Sequence, residues 1–236
     1  MAELVAGAPS RALAVYAHPD DADVSCGATL AAWAEQGCEV HVVVCTLGEK
    51  GSPDPAADAG ELARRRRAEV AAASALLGVA EVHPLGHRDG EIDNDLALRF
   101  ELVSLIRRLR PDALVCPDPT AVFFGEHYYS HRDHRVVGFA ALDAAAPAAA
   151  APLYFPEAGP PHPVEVAYLS GSLEPNAYVD VSSTIRRKVE AVLRHESQLE
   201  GSGRLLAEAI EERASAAGRV AGVAFAEAFR RLYLGR

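Results

Sequence analysis

"RALAVYAHPDD", residues 11–21, is an apolar run that ends abruptly on an imidazole, a proline and two adjacent carboxylates. A short run that is apolar on both faces fits a strand buried on both sides, as in a parallel sheet covered by helices. Pro19 fixes φ and carries no N–H, so the chain leaves the strand in a stiff turn that aims His18 and Asp21 repeatably. The G-x-G-x-x-G turn of a dinucleotide-binding module is missing from this position, and no Walker lysine loop is present. Asp20 and Asp21, with Asp23 just beyond, repel one another unless a cation stands among them.

The rest of the chain repeats this rhythm. "EVHVVVCT" (39–46), "AEVHPL" (80–85) and "DALVCP" (112–117) are brief and apolar and read as further strands. Helical stretches lie between them at 25–37, 59–78 and 94–110, the first two closing on Gly37 and Gly78 and the third before Pro111. A βαβαβαβ order predicts an α/β fold with a doubly wound, mostly parallel sheet and helices on both faces. Ligands of such sheets bind at the carboxyl ends of the strands. His18–Asp21, "TLGEKGS", "GHRDGE" and His131–His134 follow four successive strands, so all four converge on one rim.

Beyond Cys116 a helix is expected near 131–146, strands at 164–170 and 177–182, and helix from there to the end, broken near "GSG" (201–203). The Pro/Ala-rich 146–163 segment reads as a surface excursion. Together with the 118–130 loop it is expected to shape the pocket. No repeat and no boundary is visible, which predicts one domain over 1–236.

A net charge of −10 argues against nucleic acid or an anionic membrane surface as partner. The four arginines at 64–67 read as a solvated helix face. Cys26, Cys38, Cys45 and Cys116 lack C-x-x-C spacing and read as reduced, buried thiols. The opening "MAELVAGAPSR" has no cationic start followed by an apolar core, and no apolar run is long enough to span a bilayer. A cytoplasmic protein is expected.

The rim residues suggest chemistry. His18 and Asp21 are a donor pair suited to Zn²⁺, which leaves Asp20 beside them as a candidate general base. In "SHRDHR" (130–135), His131 and His134 share a helix face, so one binds the ion while the other points into the same cavity. A Ser130–Asp133 capping box is the competing structural reading. Two histidines and an aspartate leave one coordination position open, the arrangement of a catalytic zinc. Asp23 and Ser25 read as helix caps, His41 as structural, and His195 as a helix-surface or helix-packing residue. Glu49 is read either as positioning substrate or a ligand histidine, or as a loop-stabilising acid. Tyr128 and Tyr129 are candidates for stacking on a sugar ring or for loop packing.

Together, A-H-P-D-D (17–21), Gly27, T-x-G-E-x-G (46–51), the R-x-x-E helix with Arg66 and Glu69 ending in L-G-V (77–79), and H-x-D-H-R (131–135) resemble the LmbE/PIG-L family. A later K-x-x-A-x-x-x-H-x-S-Q (188–198) is similar to bacterial members, so the likeness runs over roughly residues 11–200. The resemblance implies a Rossmann-like fold and a zinc-dependent deacetylase of N-acetylglucosamine-type sugars, with another divalent transition metal as the alternative ion. It implies that His18, Asp21 and His134 ligate the metal and that Asp20 is the general base. His131 then stabilises the oxyanion or protonates the leaving amine, oriented and charged by Asp133, while Arg66 meets substrate. Ser130, where relatives tend to have Asn, and His87–Arg88 depart from the pattern and bear on substrate identity.

The expected partner is a small amino-sugar substrate, with a homo-oligomer left open. The alternatives are an amidase of a sugar-linked thiol conjugate by the same mechanism, or a non-catalytic Rossmann-like module. A Mg²⁺/Mn²⁺ phosphohydrolase is disfavoured by the two histidines.

Overall fold

The computed structural model describes residues 3–126, 128–199 and 201–235. In chain order its elements are β1 (Glu3–Leu4), β2 (Arg11–Tyr16), α1 (Asp21–Glu35), β3 (Glu39–Thr46), α2 (Ala59–Leu77) and β4 (Glu81–His87). They continue with α3 (Leu96–Leu109), β5 (Ala113–Pro117), β6 (Phe123–Phe124), β7 (Tyr128–Tyr129) and α4 (Arg132–Asp143). The last are β8 (Val166–Ser170), β9 (Ala177–Asp180), α5 (Ile185–Val192), α6 (Glu196–Leu199), α7 (Gly203–Ala221) and β10 (Ala226–Tyr233).

Eight strands form one sheet in the order β1-β9-β10-β8-β5-β2-β3-β4, and β6 pairs with β7 as a separate small hairpin. β8, β5, β2, β3 and β4 run parallel; β10 is antiparallel to both β8 and β9. From β2 the chain winds outward through β3 to β4, then returns to place β5 on the other side of β2. The crevice beyond the carboxyl ends of β2 and β5 is therefore the point where the winding reverses, the usual ligand position in this architecture.

Strand alternation divides the core. Ala12, Ala14, Tyr16, Val40, Val42 and Val44 face Leu30 and Trp33 of α1, Val70 of α2 and Ile210 of α7. Leu13, Val15, Val43 and Cys45 face Leu98, Leu102 and Ile106 of α3 and Val137 of α4 on the opposite side. Both faces of β2 are thus dry, as its unbroken apolar run predicted. All four cysteines are free and buried. Among the described residues, no helix is long and apolar enough to cross a membrane.

Helix starts and stops follow local chemistry. Asp58 and Asp95 accept from the Glu61 and Leu98 backbone N–H groups at 2.7 and 2.9 Å, and Gly78 closes α2 at φ +77°. α1 begins at Asp21, four residues before the expected start, because Pro19 and Asp20 already turn the chain.

Two expectations fail and one element was not foreseen. Residues 226–233 form strand β10, not helix: Gly222, at φ +78°, ends α7, and the chain then enters the sheet between β8 and β9. The strand β1 carried no sequence signal. The 146–163 segment is not merely superficial either. Ala144, Ala145, Ala148 and Ala149 are buried, and the Arg107 guanidinium beneath donates to the carbonyls of Ala148, Ala149, Ala151, Tyr154, Phe155 and Gly159.

Candidate active site and metal centre

The loops after the parallel strands deliver their polar groups to one cleft of about 440 Å³. His18 follows β2, Asp21 opens α1, and His131 and His134 stand at the start of α4. His18 Nδ1 lies 3.2 Å from His134 Nε2 and 3.3 Å from Asp21 Oδ2, and Asp21 Oδ1 lies 3.1 Å from His134 Nε2. A tetrahedral ion with bonds of roughly 2.0–2.1 Å needs donors about 3.3 Å apart. His18 Nδ1 and His134 Nε2 are thus spaced as two ligands of one zinc-sized ion, with one Asp21 oxygen beside each of them; a ring nitrogen of His131 also lies within 4.8 Å of a donor of each histidine. The backbone N–H of His18 donates to Asp21 Oδ2 at 2.8 Å, which locks the carboxylate against the turn that Pro19 stiffens.

The opposite edge of the His18 ring is also held. Its Nε2 lies 3.1 Å from Asp89 Oδ1, in the turn after β4, and 3.7 Å from Asp133 Oδ2. With a cation in place, a carboxylate there would hold the remaining proton on Nε2 and leave Nδ1 free to ligate. Burial alone would lower the His18 pKa, yet Asp21, with Asp133 and Asp89, pushes it up to about 12. Burial likewise opposes ionisation of Asp21, and His134 with His18 overturns this and holds the carboxyl well below its usual range. His134 rises against burial through Asp21. Together the carboxylates make a place for positive charge, which answers why HPDD crowds its acids.

Asp20, the N-cap residue of α1, makes no cap bond; its Oδ1 takes 2.8 Å from Arg66 Nη2. Arg66 is buried while Arg64, Arg65 and Arg67 are exposed, so one member of the basic run turns inward. Its Nη1 donates to the Gly48 carbonyl at 2.9 Å. Gly48 sits at φ +62°, and a Cβ there would lie 1.9 Å from Arg66 Nη1. The T-x-G-E-x-G glycine is what lets the guanidinium through.

His131 is the N-cap residue of α4, the place weighed for Ser130, and its Nδ1 accepts from the Asp133 backbone N–H at 3.4 Å. The Nε2 then bears the proton. Burial and the neighbouring His18 lower the pKa of His131, which keeps the ring neutral. The Asp133 carboxylate, fully buried, accepts from Gly90 N–H at 2.7 Å and faces His18. The described hydrogen bonds give it no contact with the His131 ring, the partner named for it from sequence. Its Oδ1 has no hydrogen-bond partner among the described residues and lies 3.7 Å from Arg132 Nη1.

The family pattern described as "PIG-L: GlcNAc-PI de-N-acetylase" matches residues 13–145, more than half of the chain. The chain belongs to the PIG-L (LmbE) family. It is 32% identical over 191 residues to a diacetylchitobiose deacetylase of Thermococcus kodakarensis, covering 80% of this chain and 70% of that one. It is 36% identical over 183 residues to a 1D-myo-inositol 2-acetamido-2-deoxy-alpha-D-glucopyranoside deacetylase of Streptomyces avermitilis, covering 67% of this chain and 60% of that protein. The structure superposes on the N,N'-diacetylchitobiose deacetylase of Pyrococcus horikoshii with TM-score 0.87 and 28% identity, over 95% of this chain and 84% of that one. A zinc-inhibited form of teicoplanin deacetylase shares the fold at TM-score 0.60 and 22% identity. The α/β, Rossmann-like sheet is the fold of these PIG-L relatives, which are N-deacetylases, enzymes of the hydrolase class.

Several residues of this PIG-L member's cleft lie in stretches the sequence placed on the rim or in the family motif, but no site role was given to them individually. Asp89, Lys50, Gly51, Gly90 and Gln198 line it with the expected groups. The signal for Asp89 was its place in a polar turn after a strand, the same rule that singled out His18. Glu49 does not line the cleft; its carboxylate accepts from the Asp89 N–H at 2.9 Å and so shapes the turn that carries Asp89. Asp23 caps nothing: its Oδ2 lies 2.6 Å from Nε2 of His195, which is fully enclosed, and the pair ties α1 to the α5–α6 corner. Next along, the Ser197 N–H and hydroxyl both donate to Glu69, at 2.8 and 2.6 Å, which brings α6 and Gln198 to the cleft. Tyr128 and Tyr129 are exposed on the small hairpin, and no described residue of 118–130 or 146–163 lines the cleft.

Proposed function

We propose that this chain hydrolyses the N-acetyl group of a glucosaminyl-type amino sugar, with zinc as the bound ion. The reading is carried by the 3.2 Å spacing of His18 Nδ1 and His134 Nε2, with Asp21 Oδ2 3.3 Å from the first and Asp21 Oδ1 3.1 Å from the second, which suits a tetrahedral ion with one position left toward the cleft. One curated relative is named for diacetylchitobiose, a disaccharide of N-acetylated amino sugars, and the other for an inositol 2-acetamido-2-deoxyglucoside, which supports the substrate class. Fold alone would not.

Bound in that triangle, a divalent ion supplies Lewis acidity and a water acidified toward neutral pH. The chain's own residues do the rest. Arg66 fixes Asp20 Oδ1, so Oδ2 is the atom that takes the proton from the attacking water and returns it to the departing nitrogen. His131, neutral and with Nδ1 occupied, turns its Nε2–H toward the carbonyl oxygen as charge develops there. One such donor is commonly worth ~10²–10³ in rate. Arg66, with both Nη groups engaged, acts as a positioning residue for Asp20, while Lys50 and Gln198 stand at the rim for sugar hydroxyls. The buried free thiols support a reducing, cytoplasmic setting.

The test is acetate release from a panel of N-acetylglucosaminides by zinc-loaded protein, together with Asp20→Asn. Turnover should fall by at least ~10² in the variant while zinc content stays at the wild-type level. No acetate from any panel member overturns the substrate class. Unchanged turnover in Asp20→Asn removes Asp20 as the base.

A further inference from the structure

A second group of donors lies far from the cleft. His41 and Glu81 are partners across β3 and β4, and His83 is two residues beyond Glu81, so all three side chains share one face of the sheet. They sit near the amino ends of their strands, at the rim opposite the active site. His41 and His83 are both buried, an uncommon use of two imidazoles on an otherwise apolar face. His41 Nδ1 and His83 Nε2 are 3.2 Å apart, and Glu81 Oε2 lies 3.7 Å from His83 Nε2. One donor atom from each lies within 4.8 Å of the other two.

The rear of the pair is arranged as a ligand pair requires. Glu39 Oε1 stands 3.1 Å from His41 Nε2 and takes its N–H, which leaves Nδ1 as a lone pair aimed at His83. A cleft lined by Glu81, His83, Glu101 and Arg108 gives an approach from solvent. Arg108 opposes a cation there, and Glu81 and Glu39, the latter shared with Arg11, offset it.

We propose that His41 Nδ1, His83 Nε2 and Glu81 form a second divalent-metal site, with Glu39 orienting His41. Two imidazoles and one carboxylate select a borderline ion such as Zn²⁺, Ni²⁺ or Cu²⁺ over Mg²⁺ or Ca²⁺. Without an ion, the His83 Nε2–H donates to His41 Nδ1. On binding, that proton moves to His83 Nδ1, the freed Nε2 joins the ligand set, and no proton is released. The ion ties β4, the outermost strand on that side, to β3. This site does not depend on the deacetylase reading.

The experiment counts ions, not turnover. Equilibrium dialysis of the full chain against buffered Zn²⁺, read by elemental analysis, should give two ions per wild-type chain and one in His83→Gln, with deacetylation unchanged. His134→Ala should also retain one, and the double variant none. Co²⁺ substitution should show two visible absorption bands in the wild type, one of which disappears in His83→Gln. Should His83→Gln fail to fold, Glu81→Gln, at an exposed position, should weaken the second equivalent at least tenfold while leaving the first intact. A folded His83→Gln that binds as many ions as the wild type overturns the proposal and leaves a shared hydrogen bond between two neutral histidines; a single wild-type ion that is lost in His83→Gln and kept in His134→Ala upholds it and counts against the active-site ion instead.

Discussion

Replacing Asp89 by Asn tests whether the active-site ion is held by its ligands alone or also by what stands behind them. The carboxylate bridges His18 Nε2 at 3.1 Å and the Lys50 backbone N–H at 3.2 Å, accepting from both. Asn keeps the shape but offers one acceptor and one NH₂ donor, so one of the two N–H groups must face a donor in either orientation. If the amide turns its NH₂ to His18, the ring is driven toward the tautomer with its proton on Nδ1, the atom needed for the metal. If it turns the other way, Lys50 N–H loses its partner and the turn carrying Gly90 shifts, along with the Gly90 bond to Asp133. Loss of such an orienting carboxylate costs about 10- to 100-fold in metal affinity, or about 1.4–2.7 kcal/mol. Asp133, 3.7 Å from the same nitrogen, remains to take up part of the role, so the lower half of that range is expected. Pairing the change with Asp133→Asn should then exceed the sum of the single effects. Competition with a chromophoric chelator measures the affinity directly. A folded Asp89→Asn protein that holds zinc within twofold of wild type would refute the reasoning.

Three other perturbations probe the frame around the site. Gly48→Ala places a Cβ on Arg66 Nη1 and forces a left-handed backbone on alanine; Arg66 should swing away, leaving Asp20 free to move and kcat about 10² lower with zinc content unchanged, measured by turnover and elemental analysis. Glu227→Ala strips the partner from buried Lys188, 2.5 Å away, and from the Thr29 N–H, so urea unfolding should show a loss of about 3–5 kcal/mol. Arg107→Lys cannot serve six carbonyls with three donors; it should destabilise by at least about 2 kcal/mol and expose 148–159 to protease while kcat holds.

What the sequence displayed and what it concealed divide along a physical line. β2, β3 and β5 were visible because burial on both faces demands an uninterrupted apolar run, and the groups at their exits were visible because parallel winding sends every exit to one rim. β10 was hidden because "AEAFRRLY" is made of residues that favour helix, and its inward Glu227 looks solvent-facing until Lys188 is placed against it. Asp23 and His195, 172 positions apart, could not be paired on paper, nor could a common turn reveal that Asp89 would stand behind His18. The proposed metal ligands are legible because each is set locally, His18 and Asp21 by Pro19 and the first turn of α1, His134 by the first turn of α4. Their support is contributed by strands and helices from across the fold, so it becomes legible only when the sheet is assembled. On the proposed ligand set, a change at His18 or Asp21 should read directly on the ion. A change at Asp89, Asp133 or Gly48 reads on it only through the sheet that brings those turns together.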